Sequence, residues 1–284
     1  MSSIMKIKKK IASIETTEKL TRTMKLVATA NLKKNQIFFN GIKEYNKEFY
    51  ILYGLLNNEV ENKRKLIVKE EKVLWIVFTS TMGLCGAYNT NLIKELEKNL
   101  NEKNDKILLF GKKGFTLLKN KGLENRIKYF INASNKDITY DFCSLLSEKI
   151  IESVNSEEFT SVKIIYNKFI NSLEFTPSIL SIHPLDEKIF EDSKEDKING
   201  YISFESPPEE ILNKIKKQFF SVVIFGSLVE TNVSENSSRR NAMDSASKNA
   251  KDIKENYLIE YNSKRQSKIT QEINEIIGGF NASK

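Results

Sequence analysis

The chain has 284 residues, and 40% of them are hydrophobic, so it is long enough to bury a sizeable core. No apolar run reaches the roughly 18 residues that a membrane-spanning helix requires, which predicts at most a peripheral membrane association. Two cysteines and one histidine are too few for a typical zinc site or for a mechanism that pairs a nucleophile with histidine. We therefore expect no zinc site and no Cys-His or Ser-His mechanism. Two unpaired thiols also favour a reducing compartment.

The formal net charge of +8 is concentrated at the N-terminus. Residues 1–36 hold nine basic and two acidic side chains. Such a segment could bind nucleic acid, an anionic membrane or acidic loops of another protein. Specific nucleic-acid readers rely on arginine and aromatic side chains, and neither is enriched here. Charge alone does not choose between these partners.

A long helix is predicted over residues 1–58. Apolar residues recur there three or four positions apart with charged residues between them, which is the period of an amphipathic helix. The stripe consists of Ile4, Ile7, Ile11, Ile14, Leu20, Met24, Val27, Ala28, Ile42, Tyr45, Phe49, Leu52 and Leu56. The first 40 residues contain no glycine. The polar residues 15–19 interrupt the stripe, so we expect the helix to be bent or only partly buried there.

Short β-prone runs alternate with helical patterns in the middle of the chain. The predicted strands are residues 73–78, 107–110, 127–131 and 162–166, and the predicted helices are near 89–99, 114–120 and 140–154. This alternation predicts βαβ units and a parallel sheet, hence a Rossmann-like α/β domain over residues 72–185. His183 is expected to be an ordinary loop or strand-end residue. Residues 186–206 begin with a charge-dense stretch and are predicted to form a loop.

A second long helix is predicted over residues 207–284. Pro207-Pro208 is a good helix entry with Ser206 as its cap, and Gly278-Gly279 is expected to end the helix. Residues 218–229 are apolar on nearly every side, which predicts that this stretch contacts both the N-terminal helix and the α/β domain. The fold class is therefore α/β: a long antiparallel coiled coil of N- and C-terminal helices with an inserted Rossmann-like domain.

Two glycine motifs could bind phosphate or RNA. Gly83-Leu84-Cys85-Gly86 follows the first predicted strand, where open α/β sheets place phosphate loops. However, the sequence contains neither GxGxxG nor GxxxxGK[ST], so a tight turn is the favoured interpretation. Gly111-Lys112-Lys113-Gly114 resembles the GxxG loop of KH domains, but that loop joins two helices and this one leaves a strand.

Five segments in order resemble the gamma subunit of F-type ATP synthases: residues 7–32, 83–94, 201–212, 234–252 and 261–279. Residues 95–200 match only in pattern. The resemblance implies a non-catalytic rotor that couples ion-driven rotation of a membrane ring to ATP synthesis or hydrolysis at beta-subunit sites. The implied partners are the alpha and beta subunits of the catalytic hexamer, the epsilon subunit and the membrane rotor ring. The implied location is peripheral, on the cytoplasmic face of the plasma membrane.

The resemblance also assigns roles to individual residues. The implied subunit contacts are Met24, Lys25, Arg239, Arg265 and Gln266. The implied foot on the membrane ring contains Tyr201, Phe204 and Glu205, and the turn near the epsilon contact contains Gly83, Cys85 and Gly86. Two other classes of function remain open: a coiled-coil adaptor or nucleic-acid-binding rod with a Rossmann-like head, and a nucleotide-dependent enzyme.

Overall fold

The computed structural model describes residues 3–61, 71–101, 103–133, 138–185 and 206–282. Two long helices enclose an α/β region within these residues. The elements are α1 (Ser3–Glu61), β1 (Val73–Phe78), α2 (Tyr88–Asn99), β2 (Lys106–Phe110), α3 (Lys112–Asn120), β3 (Ile127–Ile131), α4 (Tyr140–Asn155), β4 (Ser161–Phe169), β5 (Phe175–His183) and α5 (Pro208–Ala282). A short 3₁₀ turn, Glu124–Arg126, precedes β3. The four predicted strands and the predicted helices between them are confirmed.

The chain divides into two compact units. One consists of Met1–Ala28 and Arg239–Lys284, and the other is Thr29–Ser238. Each long helix contributes a part to both units.

The first unit pairs the start of α1 with the last part of α5. Lys25 Nζ lies 2.6 Å from Asp244 Oδ1, and Lys254 Nζ lies 2.7 Å from Glu18 Oε2. The numbers rise along α1 as they fall along α5, so the helices are antiparallel. The buried apolar side chains of this unit are Ile7, Ala28, Met243 and Ala250. Small and apolar residues inside with charged pairs outside are typical of a coiled coil.

Both predicted ends of α5 need correction. The helix begins at Pro208, and the carbonyl of Pro207 accepts the N–H groups of Glu210 and Ile211, so Pro207 and not Ser206 occupies the cap position. The helix also continues through Gly278-Gly279 to Ala282. A glycine weakens a helix by about 1 kcal/mol relative to alanine but keeps its N–H donor, so it does not by itself end the helix.

The second unit contains a five-stranded sheet with the order β3-β2-β1-β4-β5. The pairs β1–β2, β1–β4 and β2–β3 are parallel, whereas β4 and β5 are antiparallel. The predicted parallel sheet is confirmed for the four predicted strands, and the unpredicted strand β5 adds an antiparallel edge. Pro177 lies within β5, opposite Asn167, and proline is tolerated in a sheet only at such an edge. His183 is the last residue of β5, as expected.

Alternate residues of the inner strands face opposite sides of the sheet. Val73, Trp75 and Val77 of β1 pack in one core with apolar residues of α2 and α3. The intervening residues Leu74, Ile76 and Phe78 pack in a second core with α4, α1 and α5. Because both faces are covered, the strands appear in the sequence as continuous apolar runs.

The apolar stretch of α5 lies in this second core. Phe219 and Phe220 are fully buried, and the Phe219 ring stacks on the Tyr53 ring of α1 with 3.7 Å between the centroids. Asn46 of α1 approaches Gly226 so closely that a Cβ there would meet the Asn46 amide. The prediction that residues 218–229 contact both α1 and the α/β domain is confirmed.

Candidate functional site

The Gly83-Leu84-Cys85-Gly86 segment forms a closed turn between β1 and α2. Leu84 and Gly86 have φ angles of 63° and 56°, in the left-handed region that glycine adopts most easily. Asn89 closes the turn, because its Oδ1 accepts the Ser80 N–H at 2.9 Å and its Nδ2 lies 3.2 Å from Cys85 Sγ. Cys85 is only 2% exposed. The prediction of a tight strand-to-helix turn is confirmed.

The glycines of the second motif make room for Thr79 at the end of β1. A Cβ on Gly111 or Gly114 would contact Thr79 more closely than real Cβ atoms do. Thr79 Oγ1 donates to the Phe110 carbonyl at 2.6 Å and accepts the Gly114 N–H at 3.0 Å. The motif leaves β2 and opens α3, so its spacing is explained by packing.

The strand order reverses between β1 and β4, and doubly wound sheets bind ligands beyond the carboxyl ends of the strands at such a point. Helix α5 occupies that position here. Ser234 Oγ donates to the Asn167 carbonyl at the end of β4 at 2.9 Å, and Ser238 Oγ donates to the Cys85 carbonyl at 2.6 Å. The chain's own helix therefore fills the place of a ligand.

Two further residues of α5 bind the hairpin between β4 and β5. The Glu230 carboxylate accepts the Phe169 N–H at 2.9 Å, and Ser237 Oγ donates to the Ser172 carbonyl at 2.6 Å. We call Glu230, Ser234, Ser237 and Ser238 the docking seam. All four bind main-chain atoms of the α/β domain. Sequence reasoning missed them, and the only available signal was their spacing of four, three and one residues, which puts them on one side of a helix.

Glu230 is the seam residue whose carboxyl has a shifted pKa. Burial raises the pKa of its carboxyl to about 7, although the Phe169 N–H, the Tyr166 hydroxyl and the charges of Lys168 and Lys43 act in the opposite direction. Burial together with the Glu230 charge also raises the pKa of the Tyr50 hydroxyl. The carboxyl of Glu230 therefore titrates near neutral pH.

The implied contact residues of the first unit differ in how much surface they present. Met24 and Lys25 are half-buried, and Lys25 shares Asp244 with Lys248, whose Nζ lies 2.9 Å from the other carboxylate oxygen. These two ammonium groups lower the pKa of Asp244 to about 2. Arg239 is only 9% exposed.

Arg265 and Gln266 lie in a fully exposed part of α5. Every side chain from residue 262 to residue 279 is exposed, including Ile269, Ile273, Ile276 and Ile277. Lys10 Nζ lies 3.4 Å from the Tyr257 hydroxyl, and α1 begins only seven residues before Lys10, so α5 extends past the start of α1. The isoleucines form an apolar surface of the kind that contacts another protein.

The implied foot residues Tyr201, Phe204 and Glu205, and the charged residues 186–200, lie outside the described residues. None of the described helices is apolar over a stretch long enough to cross a membrane. The ranges that the structure covers also contain no group of three or more His, Cys, Asp or Glu side chains placed to hold a metal ion.

Comparison with known proteins gives a consistent result over the whole chain. The sequence profile of the family described as ATP synthase matches residues 3–282. The ATP synthase gamma chain of Malacoplasma penetrans is 43% identical over 98% of this chain and 99% of its own length, and that of Ureaplasma parvum is 38% identical with the same coverage. A chain in the Euglena gracilis mitochondrial ATP synthase structure aligns with a TM-score of 0.72 at 18% identity, covering 99% of this chain and 94% of that one. A central-stalk chain from Tetrahymena thermophila aligns with a TM-score of 0.64 at 22% identity, covering 80% and 99%.

Proposed function

The chain belongs to the ATP synthase gamma chain family, and from this premise we propose that it is the central-stalk rotor of a bacterial F-type ATP synthase. Its role is to couple ion-driven rotation of the membrane ring to ATP synthesis or hydrolysis in the beta subunits. Its partners are the alpha and beta subunits, the epsilon subunit and the membrane ring.

The exposed end of α5 supports this role most directly. A helix that carries four exposed isoleucines beyond the start of its partner helix needs an apolar environment from another protein. The ring of alpha and beta subunits would supply it. Arg265 and Gln266 lie on the same stretch and offer hydrogen-bond donors to carboxylates and carbonyls of that ring.

We assign no catalytic role, metal or cofactor to this chain. The ligand position of its sheet is filled by Ser234, Ser238 and the rest of the docking seam. Neither glycine motif ends in the Lys-Ser or Lys-Thr pair that completes the phosphate loop GxxxxGK[ST]. The chemistry would take place in the partner subunits, and this chain would act by presenting different faces to them.

The remaining contacts are assigned by family membership. Met24, Lys25 and Arg239 would lie in the part of the coiled coil that the alpha and beta subunits surround. Tyr201, Phe204 and Glu205 would seat the foot on the membrane ring, and the turn that contains Gly83, Cys85 and Gly86 would lie near the epsilon subunit. The protein would be peripheral, on the cytoplasmic face of the plasma membrane.

Affinity purification of the tagged chain from solubilised native membranes tests the proposal. We expect alpha, beta and epsilon subunits to copurify in a complex that hydrolyses ATP. Recovery of a nucleic acid or an unrelated scaffold without alpha and beta would support the adaptor or rod. ATP hydrolysis by the isolated chain would support the enzyme.

A further inference from the structure

The docking seam differs from the rest of the contact between α5 and the α/β domain. Residues before it, such as Phe219, Phe220 and Leu228, contribute apolar packing, which has no preferred direction. The four seam residues make hydrogen bonds, which weaken steeply when donor and acceptor move out of line. The seam therefore adds directional hydrogen bonds to a contact that is already closely packed.

The seam reaches two separate parts of the domain. Ser238 binds the carbonyl of Cys85 in the β1–α2 turn. Glu230, Ser234 and Ser237 bind Phe169, Asn167 and Ser172 of β4 and its hairpin. Eight residues of helix separate the first from the last, which is about 12 Å along its axis. Bonds to two parts of the domain over that length resist both rotation of α5 about its own axis and sliding along it.

The partners are all main-chain atoms, which do not change rotamer as side chains do. Ser234 is fully buried and Ser238 is 5% exposed, so water competes little for their two bonds, whereas the bond of Ser237 to Ser172 is partly buried. Deletion of the Ser234 or Ser238 hydroxyl leaves the carbonyl of a buried residue, Asn167 or Cys85, without this donor. Loss of one such hydrogen bond should shift the equilibrium between the docked and the undocked α/β domain by about fivefold.

We propose that the docking seam is the torsional joint of the rotor: through it the α/β domain and residues 208–238 of α5 turn as one body when load is applied. The proposal rests on the rotor function stated above. The seam residues are positioning residues that act through the angle of the shaft helix. Loss of the seam lets the domain slip against the helix, so ATP hydrolysis continues while fewer ions are moved.

The test uses the assembled complex in vesicles and measures ions pumped per ATP hydrolysed. The triple variant Ser234→Ala, Ser237→Ala, Ser238→Ala is expected to assemble and to keep hydrolysis within about twofold of wild type, while the pumping ratio falls by about threefold or more. The matched control is Ser221→Ala. Ser221 is also a buried serine of α5, but its hydroxyl binds the Lys217 carbonyl of the same helix, so its removal should leave the ratio unchanged.

A disulfide that restores the pumping ratio would distinguish a torsional joint from residues that are needed only for folding. Ser237 Oγ lies 2.6 Å from the Ser172 carbonyl oxygen, so the two residues are neighbours across this contact, and cysteines placed at both positions are first assayed for disulfide formation. In the Ser234→Ala, Ser238→Ala background, oxidation of Ser172→Cys, Ser237→Cys should restore the pumping ratio and reduction should remove it. If the triple variant does not assemble, Ser237→Ala alone is measured against the same control.

The results separate the two proposals. An unchanged pumping ratio in an assembled seam variant would overturn the torsional joint but not the rotor. Failure of the wild-type chain to assemble with alpha and beta subunits would overturn the rotor itself.

Discussion

Ser238 of α5 donates its hydroxyl to the main-chain carbonyl of Cys85 at 2.6 Å, across 153 residues of sequence. This bond places the C-terminal helix at the carboxyl end of β1, beside the point where the strand order reverses. In related sheet architectures that point binds a nucleotide. Here the fold uses the position to hold a helix.

The isolated chain should therefore not bind ATP. The helix fills the ligand position, and the Gly83–Gly86 turn is closed by Asn89. Titration calorimetry on the purified chain should show no binding at micromolar nucleotide. Stoichiometric micromolar binding would contradict this and favour the enzyme alternative.

Alanine at Gly114 and at Gly41 should have opposite effects on stability. A Cβ at Gly114 would meet Thr79, which is fully buried and held by its bond to Phe110, so overpacking should destabilise the chain by about 2 kcal/mol. Gly41 lies in α1 with nothing within 4 Å of its added Cβ, so alanine should stabilise by about 1 kcal/mol. Urea unfolding of both variants measures this, and a loss of stability at both positions would show that Thr79 packing is not the cause.

Substitution of Glu230 by glutamine should flatten the pH dependence of stability. The folded pKa is raised from 4.5 to about 7, so the stability that the neutral carboxyl contributes is fully present below pH 4.5 and is lost as pH rises through 7. Glutamine is neutral throughout, so Glu230→Gln should gain relative to wild type by an amount on the order of 2 kcal/mol at pH 8 and little at pH 4.5.

The control for this experiment is Glu152→Gln, a change at an exposed position of α4. Thermal unfolding between pH 4.5 and 8.5 should show the wild-type slope in this control. A Glu230→Gln variant that loses stability equally at both ends of the range would show that the site prefers the charged carboxylate.

The double variant Arg265→Ala, Gln266→Ala should lower ATP turnover of the assembled complex without dissociating it. Both side chains are exposed in this chain, so their removal leaves its own fold intact. Bonds that are made and broken in every turn should each contribute on the order of 1–3 kcal/mol. Lys268→Ala is the control, because Lys268 is an exposed neighbour that pairs with Glu272 of its own helix. Equal turnover in the double variant, the control and wild type would show that Arg265 and Gln266 make no functional contact with the surrounding subunits.

Much of the fold was predictable because its signals are local. Runs such as residues 73–78 are buried on both faces and therefore read as continuous apolar strands. Strand β5 was missed because Pro177 interrupts its pattern, and its place at the sheet edge becomes visible only in the pairing with β4. The end of α5 was placed too early because glycine was taken to stop a helix that here continues.

The docking seam could not be predicted in the same way. Serines within a helix most often bind solvent or their own helix, as Ser221 does. Ser234 and Ser237 bind other elements because β4 and its hairpin end beside α5. The local spacing of residues in the sequence does not encode that position. The ion pair of Lys25 with Asp244 likewise joins residues far apart in sequence.

Direct observation of rotation tests the central claim. Cys85 and Cys143 are buried, so a Lys112→Cys substitution at an exposed position of α3 offers one accessible thiol for a bead or fluorophore. In a complex immobilised through its beta subunits, we predict unidirectional rotation of the label that requires ATP and stops when ATP is removed. A label that keeps a fixed angle while the same complex hydrolyses ATP would contradict the rotor function.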